Sequence, residues 1–193
     1  MLRIATIVEG QGEVEALPLL LRRIAGEVGL AVDVPRPIRV ARQKILKTGA
    51  LERAVQLAAL RSGPEGHILM LVDADDDCPR ELAAELLETA ARARSDRQTR
   101  VVVAKSEYES WFLAAAGSIA GEREIGKSVV PPPDPESIRD AKGWISRQMR
   151  PGRSYRPTLD QAALTAVIDL AAARTAPSFD KLWREVVALL NAV

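Results

Sequence analysis

The chain is poor in the residues that define several classes of protein. It has one cysteine, Cys78, and one histidine, His67, among its 193 residues. A single cysteine excludes an intramolecular disulfide, and these two separated residues fall far short of a zinc-binding pattern. No stretch approaches the roughly 18 consecutive apolar residues of a membrane span, and the N-terminus enters a strand-like run without a basic and then apolar leader. We therefore expect a cytoplasmic protein with no membrane partner.

The common nucleotide-binding motifs are absent as well. The segment Glu9-Gly10-Gln11-Gly12-Glu13 has two glycines, but the complete P-loop pattern and the dinucleotide fingerprint are both missing. No ATPase motif is present, and no tyrosine has the sequence context of a topoisomerase nucleophile. The composition, 47% hydrophobic and 27% charged, is that of an ordinary globular protein, and the net charge is only +1. The chain as a whole is therefore no polycation.

Strand-like apolar runs alternate with helical patterns along the first part of the chain. Strands are predicted at residues 3–8, at 30–40 with prolines interrupting, at 67–72 and at 99–104. Helices are predicted at about 13–28, 50–60 and 80–93, followed by one that Glu107 leads. This order predicts an α/β fold, a mainly parallel sheet with helices on both faces.

The second part of the chain has a different character. We predict an α/β core over residues 1–117, a proline-rich connector over 118–135 and a helical extension over 136–193 that packs on the core. Within the extension, helices are predicted near residues 135–149, 159–173 and 179–191. The last of these carries an apolar stripe that is typical of core packing.

Four aspartates in five residues follow the third predicted strand. Asp73, Asp75, Asp76 and Asp77 lie where open α/β sheets bind their ligands. Residues two apart on an extended backbone point the same way, so Asp73 and Asp75 can share one side of the strand end. Crowded carboxylates are costly unless a positive group, usually a metal, neutralises them. Alternatively, this is a polar loop that caps the next helix, as Asp77 could do.

Two other strands are also followed by acidic residues. Glu9 comes directly after the first strand, and Glu13 lies in the first turn of the next helix, where it could simply complement the helix dipole. The two nearby glycines allow a tight turn and a close approach of the backbone. Because parallel strands share one direction, we expect Glu9 and Asp73 at the same edge of the sheet.

The third acidic segment follows the strand at residues 99–104. It contains Glu107 and Glu109, for which a capping box with Ser106 as N-cap is an alternative explanation of Glu109. Lys105 beside them is either a solvated side chain or a cation that meets a substrate phosphate. All three acidic segments are then expected at one edge of the sheet.

These motifs resemble the toprim signature of topoisomerases, primases and OLD-type nucleases. In that fold, a glutamate like that of Glu9-Gly10 and an Asp-x-Asp pair like that of Asp73-Ala74-Asp75 share a divalent-metal site. More narrowly, the chain resembles a bacterial family of unknown function, domain of unknown function 4276, with an OLD-type toprim-like core. The features that carry this resemblance are Val8-Glu9-Gly10, Glu13, Val72-Asp73-Ala74-Asp75, Glu107-Tyr108-Glu109-Ser110-Trp111, Tyr155 and Ser178-Phe179. The run Trp111-Phe112-Leu113 departs from the leucine-rich run of many members.

The acidic residues predict phosphoryl chemistry with a hard cation. Carboxylates without histidine or cysteine partners suit Mg²⁺ or Mn²⁺ rather than zinc. Glu9, Asp73 and Asp75 would hold one ion, and Glu13, Asp77 or Glu107 could help with a second. We expect divalent-metal-dependent hydrolysis of phosphodiesters in nucleic acid, with Glu9, Asp73, Asp75 and Lys105 as the catalytic residues.

Two basic segments add a nucleic-acid partner to this expectation. Residues 36–47 contain five basic residues and no acid, and residues 139–156 contain six basic residues against one aspartate. Such segments could follow a phosphate backbone, although most charge runs are solvated surfaces. Two alternatives stay open: a nucleic-acid- or nucleotide-binding module without turnover, and an interaction subunit that acts with a partner such as an ATPase, as the OLD-type resemblance implies.

Overall fold

The computed structural model describes residues 1–47 and 49–192. Within these residues, five strands form one sheet, namely β1 (Leu2–Val8), β2 (Val32–Asp33), β3 (Ile38–Arg39), β4 (His67–Asp73) and β5 (Thr99–Ala104). The order is β2-β1-β4-β5, with β3 also paired to β1, and every pairing is parallel. The prediction of an α/β fold with a mainly parallel sheet is confirmed.

Two short strands, β2 and β3, together form the edge of the sheet beside β1. β2 pairs with Leu2 and Arg3, whereas β3 pairs with Ile7 and Val8 at the other end of β1. Pro35 and Pro37 lie between the two short strands, where proline cannot donate to a strand ladder. The proline-interrupted strand predicted at residues 30–40 is therefore confirmed.

Helices cover both faces of this sheet. In chain order they are α1 (Glu13–Glu27), α2 (Arg42–Ile45), α3 (Ala50–Ser62), α4 (Pro79–Ala93), α5 (Ser110–Ala114), α6 (Ala116–Ile119), α7 (Ala141–Gln148), α8 (Pro157–Val167), α9 (Leu170–Ala173) and α10 (Pro177–Leu190). Two 3-10 turns, Glu122–Glu124 and Pro135–Ser137, connect them. Of the helices that the structure describes, none is both long and apolar enough to cross a membrane.

Alternate strand residues face two separate apolar clusters. Ile4 and Leu69 pack in the cluster that contains α1, α5 and the C-terminal helices, whereas Ala5 and Ile68 pack with α3 and α4. This is the two-residue period of an extended backbone, applied to strands buried on both sides. The sheet is thus the middle of three layers.

The C-terminal helices share the first of these clusters with the core. α1 contacts α8 and α10, and α10 also contacts β5. Phe179, Leu182 and Val186 of α10 are completely buried, which confirms the predicted packing stripe. The residues on both sides of the predicted boundary at 117 therefore bury one apolar surface, while the division into a core, a connector and an extension stays a prediction.

Several predicted helix boundaries are wrong, for local reasons. The segment 135–149 is a 3-10 turn followed by α7, because Asp140 caps α7 by accepting a hydrogen bond from the backbone N of Gly143 at 2.8 Å. The segment 159–173 is two helices, since Asp169 accepts from the backbone N atoms of Ala171 and Ala172 and starts α9. Short polar side chains at such positions accept hydrogen bonds from nearby backbone N atoms and so start a new helix instead of continuing the previous one.

The two helix caps that the sequence offered as alternatives, the capping box of Ser106 with Glu109 and the cap by Asp77, are also wrong. The helix expected to begin at Glu107 begins at Ser110, and Ser106 has a positive φ of 63° with no capping hydrogen bond. The residue before α4 is Cys78, which makes no side-chain cap, and Asp77 instead pairs with Arg42. These acidic side chains are therefore not explained by helix capping.

Candidate functional site

The three acidic segments meet at the carboxyl edge of the sheet. β1, β4 and β5 are neighbours in parallel register, with Val8 paired to Leu71 and Asp73 paired to Ala104. Glu9 and the segment containing Glu107 and Glu109 therefore emerge on either side of Asp73. This confirms the expected juxtaposition at the edge where open α/β sheets bind ligands.

The loop after β1 holds Glu13 inside the protein. The backbone N of Gly10 donates a 2.8 Å hydrogen bond to Glu13 Oε2. A Cβ at Gly10 would lie 2.5 Å from Glu13 Oε1, and one at Gly12 would lie 2.9 Å from the carbonyl oxygen of Pro157. Gly12 thus allows the close backbone approach that the sequence predicted, and Gly10 leaves space for the Glu13 carboxyl group.

Burial and like charges raise the pKa of Glu13. Desolvation is the largest cause, Glu109 and Glu9 add repulsion, and together these outweigh the hydrogen bond from Gly10 and bring the pKa to about 7. A carboxyl that merely complements a helix dipole would be exposed and ionised. Glu13 instead belongs to an acidic cluster.

Asp73 lies at the centre of that cluster. Its Oδ1 accepts a 2.9 Å hydrogen bond from the backbone N of Tyr108, which fixes the carboxyl against the loop after β5. The residue keeps some exposed surface, but desolvation of its carboxyl group raises its pKa well above the ordinary value. Glu13, Glu109 and Glu9 raise the pKa further, and Lys142 opposes them. Like charges held this closely favour protonation or a bound cation.

Glu109 is the fourth member of the cluster. It is buried, and its Oε1 accepts a 2.9 Å hydrogen bond from the hydroxyl of Tyr155. Its pKa is raised, because burial outweighs the attraction of Lys142, whose Nζ lies 3.2 Å from Glu109 Oε2. We call Glu9, Glu13, Asp73 and Glu109 the acidic cluster.

Lys142 of α7 brings a positive charge to this cluster. Its Nζ lies 2.7 Å from Glu107 Oε1, and its backbone N donates to Glu107 Oε2 at 3.2 Å. Burial alone would lower the pKa of Lys142, but Glu109 and Glu107 raise it above the ordinary value. The pKa values of Lys142 and Glu109 are both raised, so the amine of Lys142 stays charged. Glu107 remains its ionic partner when Glu109 is protonated.

Arg42 of α2 approaches the other side of the cluster. Its guanidinium lies 3.7 Å from Glu9 Oε2 and 3.9 Å from Asp75 Oδ2, and it forms an ion pair with Asp77. It also donates to the backbone oxygen of Asp73 at 3.1 Å. Burial still raises the pKa of Glu9, with Arg42 opposing and Asp75 adding to the shift.

One oxygen of Glu9 has no hydrogen-bond partner. Glu9 Oε2 is buried, and no donor within the described residues reaches it with hydrogen-bond geometry. A buried carboxylate oxygen without a partner is costly. The Arg42 guanidinium lies 3.7 Å from Oε2, beyond hydrogen-bond distance, so this oxygen can still accept a hydrogen bond or bind a cation.

The remaining predicted site residues lie outside the acidic cluster. Asp75 is exposed at the loop tip, with a positive φ of 49°. Together with Glu107 and Arg139 it lines a cavity of about 150 Å³, and Arg139 forms a 2.8 Å ion pair with Asp76. Asp77 is tied to Arg42. Lys105 is exposed and lines a different cavity, so the structure does not bring it to the cluster.

The predicted metal site is not formed as a set of ligands. Across residues 1–47 and 49–192, no group of three or more histidine, cysteine, aspartate or glutamate side chains is arranged to hold a metal ion. Arg42 and Lys142 supply the positive charge near the carboxylates instead. Metal binding therefore stays a prediction.

Four residues of this site are not among the catalytic or metal-binding residues that the sequence predicts. Glu109 has an alternative explanation in a capping box, Arg42 and Lys142 fall within the two basic segments, and Tyr155 enters only through the family resemblance. The Glu107-x-Glu109 spacing was a usable signal for Glu109. Nothing in the sequence indicated which cations face the carboxylates, because that depends on the packing of α2 and α7.

The chain matches one known protein family over most of its length. Residues 8–186 match the family described as Domain of unknown function (DUF4276), and the chain belongs to this family. The match includes every residue of the acidic cluster together with Arg42, Lys142 and Tyr155. No curated protein and no solved structure is significantly similar to the chain.

Proposed function

We propose that this protein hydrolyses phosphodiester bonds in nucleic acid with the help of a divalent cation, through a toprim-like site. One observation carries the proposal: four carboxyl groups with raised pKa values converge at the ligand-binding edge of the sheet, and one buried oxygen, Glu9 Oε2, has no hydrogen-bond partner. Perturbed carboxyl groups of this kind are typical of functional sites.

The donor set suits a hard cation. All the groups available are carboxylate oxygens, which Mg²⁺ and Mn²⁺ prefer. Glu9, Asp73 and Asp75 would hold one ion, and Asp77 or Glu107 would help with a second. When bound, the cation would supply Lewis-acid stabilisation of the charge on the phosphate oxygens.

The chain's own residues provide a base and positive charge. Glu13 Oε1 is the oxygen that Gly10 does not engage, and a carboxyl with a pKa of about 7 is well placed to take a proton near neutral pH. It would accept the proton of the water that attacks phosphorus as the ester P–O bond breaks, and the leaving oxygen would take a proton from solvent. Arg42 and Lys142 would offset the negative charge that develops on the phosphate.

The test compares the wild type with Asp73→Asn and Glu9→Gln. The amide oxygen introduced by Asp73→Asn still accepts from the Tyr108 backbone N, so the loop after β5 stays in place. We expect calorimetry to show Mn²⁺ binding to the wild type and a loss of at least about tenfold in affinity in both variants, because each loses a charged ligand. Cleavage of plasmid, single-stranded DNA or RNA should disappear in parallel.

Glu65→Gln is the matched control, since it removes one negative charge from an exposed position just before β4, at the opposite end of that strand from the acidic cluster. It should bind Mn²⁺ and cleave like the wild type. The proposal is wrong if the wild type binds neither Mg²⁺ nor Mn²⁺ with nucleic acid present, or if Asp73→Asn cleaves at the wild-type rate.

A second candidate is a nucleic-acid-binding subunit without turnover, acting with a partner such as an ATPase. The contacts of Arg42 and Lys142 favour it, because the two cations neutralise the carboxylates without a metal. This protein would bind nucleic acid in EDTA, with an affinity that falls steeply with salt. It would give no cleavage product with Mg²⁺ or Mn²⁺ until the partner is added.

A further inference from the structure

A second cavity lies at the open edge of the sheet, beside β5. It has a volume of about 340 Å³ and lies between the N-terminal ends of α4 and α10. Val103 of β5 and Lys105, which follows β5, also line it. Its volume is near the lower end of the range for small-molecule sites, about 300–1,000 Å³.

Cationic side chains line this cavity. Arg80, Lys105 and Lys181 come from three different elements, and in the part of the chain that the structure describes none of them forms an ion pair. The one carboxylate in the lining, Glu136, is already engaged, since its Oε1 accepts from the backbone N and the hydroxyl of Ser178 at 2.9 and 2.5 Å. The lining thus has three cations with no ionic partner and favours an anionic ligand.

The walls of the cavity are apolar. Val103 forms part of the buried core, and Ala83 presents a methyl group from α4. Pro79 and Pro177 are the first residues of α4 and α10, so two apolar pyrrolidine rings line the cavity beside the positive ends of two long helices. Apolar walls with cationic side chains among them match a ligand that has apolar surfaces and negative groups beside them.

The cavity adjoins the proposed catalytic edge. Lys105 immediately precedes Ser106, whose hydroxyl donates to the backbone oxygen of Glu136 at 3.4 Å. Ser106 and Glu107 line the 150 Å³ cavity beside Asp75, and Glu136 lines the larger cavity. A chain of phosphates could therefore pass from one cavity to the other over the contact between Ser106 and Glu136.

We propose that the larger cavity holds one unpaired nucleotide of a single-stranded nucleic acid. The base lies against Val103, Ala83 and the two prolines, and Arg80, Lys105 and Lys181 bind the flanking phosphates. A paired and stacked base of a duplex cannot enter such a cavity. This inference takes nucleic acid as the substrate from the proposed function. It adds that the bound nucleic acid is single-stranded.

The first test changes the shape of the cavity without changing charge. Ala83→Leu fills it, whereas Ala84→Leu adds the same side chain to an exposed position on the same helix. Fluorescence anisotropy in EDTA, with a labelled single strand of about 12 nucleotides, measures binding without any metal. We expect Ala83→Leu to bind the single strand about tenfold more weakly, because it loses roughly one base contact. Ala84→Leu should bind like the wild type.

The second test reverses the charge of two cationic side chains that line the cavity. Arg80→Glu and Lys181→Glu should each weaken binding of the single strand and reduce its salt dependence, because each removes a phosphate contact. Lys127→Glu, in the connector and outside the cavity lining, changes the net charge equally and should have a much smaller effect. Melting curves of all variants establish that they fold.

The inference is overturned if Ala83→Leu binds the single strand like the wild type, or if the wild type binds no nucleic acid. Equal affinity of the wild type for a blunt duplex would also overturn it. Mn²⁺ calorimetry on Ala83→Leu separates this inference from the proposed function. Unchanged Mn²⁺ binding with weakened strand binding supports the cavity assignment, even where the wild type proves to have no nuclease activity.

Discussion

The ammonium of Lys142 lies 3.2 Å from Glu109 Oε2 and 2.7 Å from Glu107 Oε1. Glu107 and Glu109 follow β5, whereas Lys142 is part of α7 and lies 35 residues from Glu107 along the chain. The carboxyl edge of the sheet is thus completed by a helix from the C-terminal part of the chain. A buried carboxylate next to such a cation depends on it strongly, because it has lost its water.

Replacing Lys142 with methionine should destabilise the metal-free protein. The change leaves the buried Glu109 without its cation, and we expect a loss of about 1–3 kcal/mol in the free energy of unfolding, less than for a fully buried pair because Lys142 is partly exposed. Urea denaturation in EDTA measures this. Lys127→Met is the control at an exposed position. On the proposed function, Mn²⁺ should raise the melting temperature of Lys142→Met more than that of the wild type, since the ion replaces the lost charge.

The raised pKa of Glu13 predicts a specific pH dependence of stability. Its folded-state pKa of about 7 lies above its ordinary value of 4.5, so the folded state holds a proton that the unfolded state releases first. The stabilisation is fully present below about pH 4.5 and is lost as the pH rises through about 7. Glu13→Gln keeps an acceptor for the Gly10 backbone N and cannot ionise. We therefore expect Glu13→Gln to gain stability over the wild type, by up to about 3 kcal/mol at pH 8.

Denaturation of both proteins in EDTA between pH 4 and pH 8 checks this prediction. At the acidic end, where Glu13 is protonated in both states, the two proteins should differ least. Parallel stability curves across the whole range would contradict it, because they would show that Glu13 titrates alike in the folded and unfolded states.

Gly12→Ala should weaken the packing of α8 on the loop before α1. A Cβ at Gly12 would lie 2.9 Å from the backbone oxygen of Pro157, which cannot move without shifting the start of α8. We expect a loss of about 1–3 kcal/mol, as for other overpacked positions. Gly26→Ala is the matched control, since nothing lies within 4 Å of the added Cβ and Gly26 is inside α1. It should stabilise the protein by about 0.5–1 kcal/mol. Equal effects of the two changes would contradict the packing argument.

Tyr155→Phe should cost about 1–2 kcal/mol, because the buried Glu109 Oε1 loses the hydroxyl that donates to it at 2.9 Å. A double-mutant cycle with Glu109→Met isolates this contact, because methionine has a similar length and no oxygen to accept from the hydroxyl. A coupling energy near zero would show that the hydroxyl does not stabilise Glu109.

The positions of the three acidic segments could be predicted from the sequence. The runs at residues 67–72 and 99–104 have the length and branched side chains of strands buried on both faces, and the alternation with helices sets them parallel. Once the strands are parallel and adjacent, Glu9, Asp73 and Glu107 must lie at one edge. The close backbone approach at Gly12 was predictable for a similar reason, since Gly12 lies in a short turn between a strand and a helix.

The helix starts near the site were not predictable in the same way. A capping box needs only the right residue types at the right spacing, and Ser106 and Glu109 have them. In the folded chain, the Tyr108 backbone N donates to Asp73 instead, and Glu109 turns inward to Tyr155. These long-range hydrogen bonds outweigh the local one, and α5 begins at Ser110.

The sequence by itself determined the α/β class, the parallel direction of the strands and the edge at which the carboxylates gather, because these follow from local periodicity and from the alternation of strands and helices. Only the tertiary structure decided that Arg42 and Lys142 face the carboxylates, that Tyr155 donates to Glu109, and that Lys105 lines a separate cavity. Those relationships depend on how α2, α7 and α10 pack around the sheet, and burial and charge across such contacts act between residues far apart in the chain.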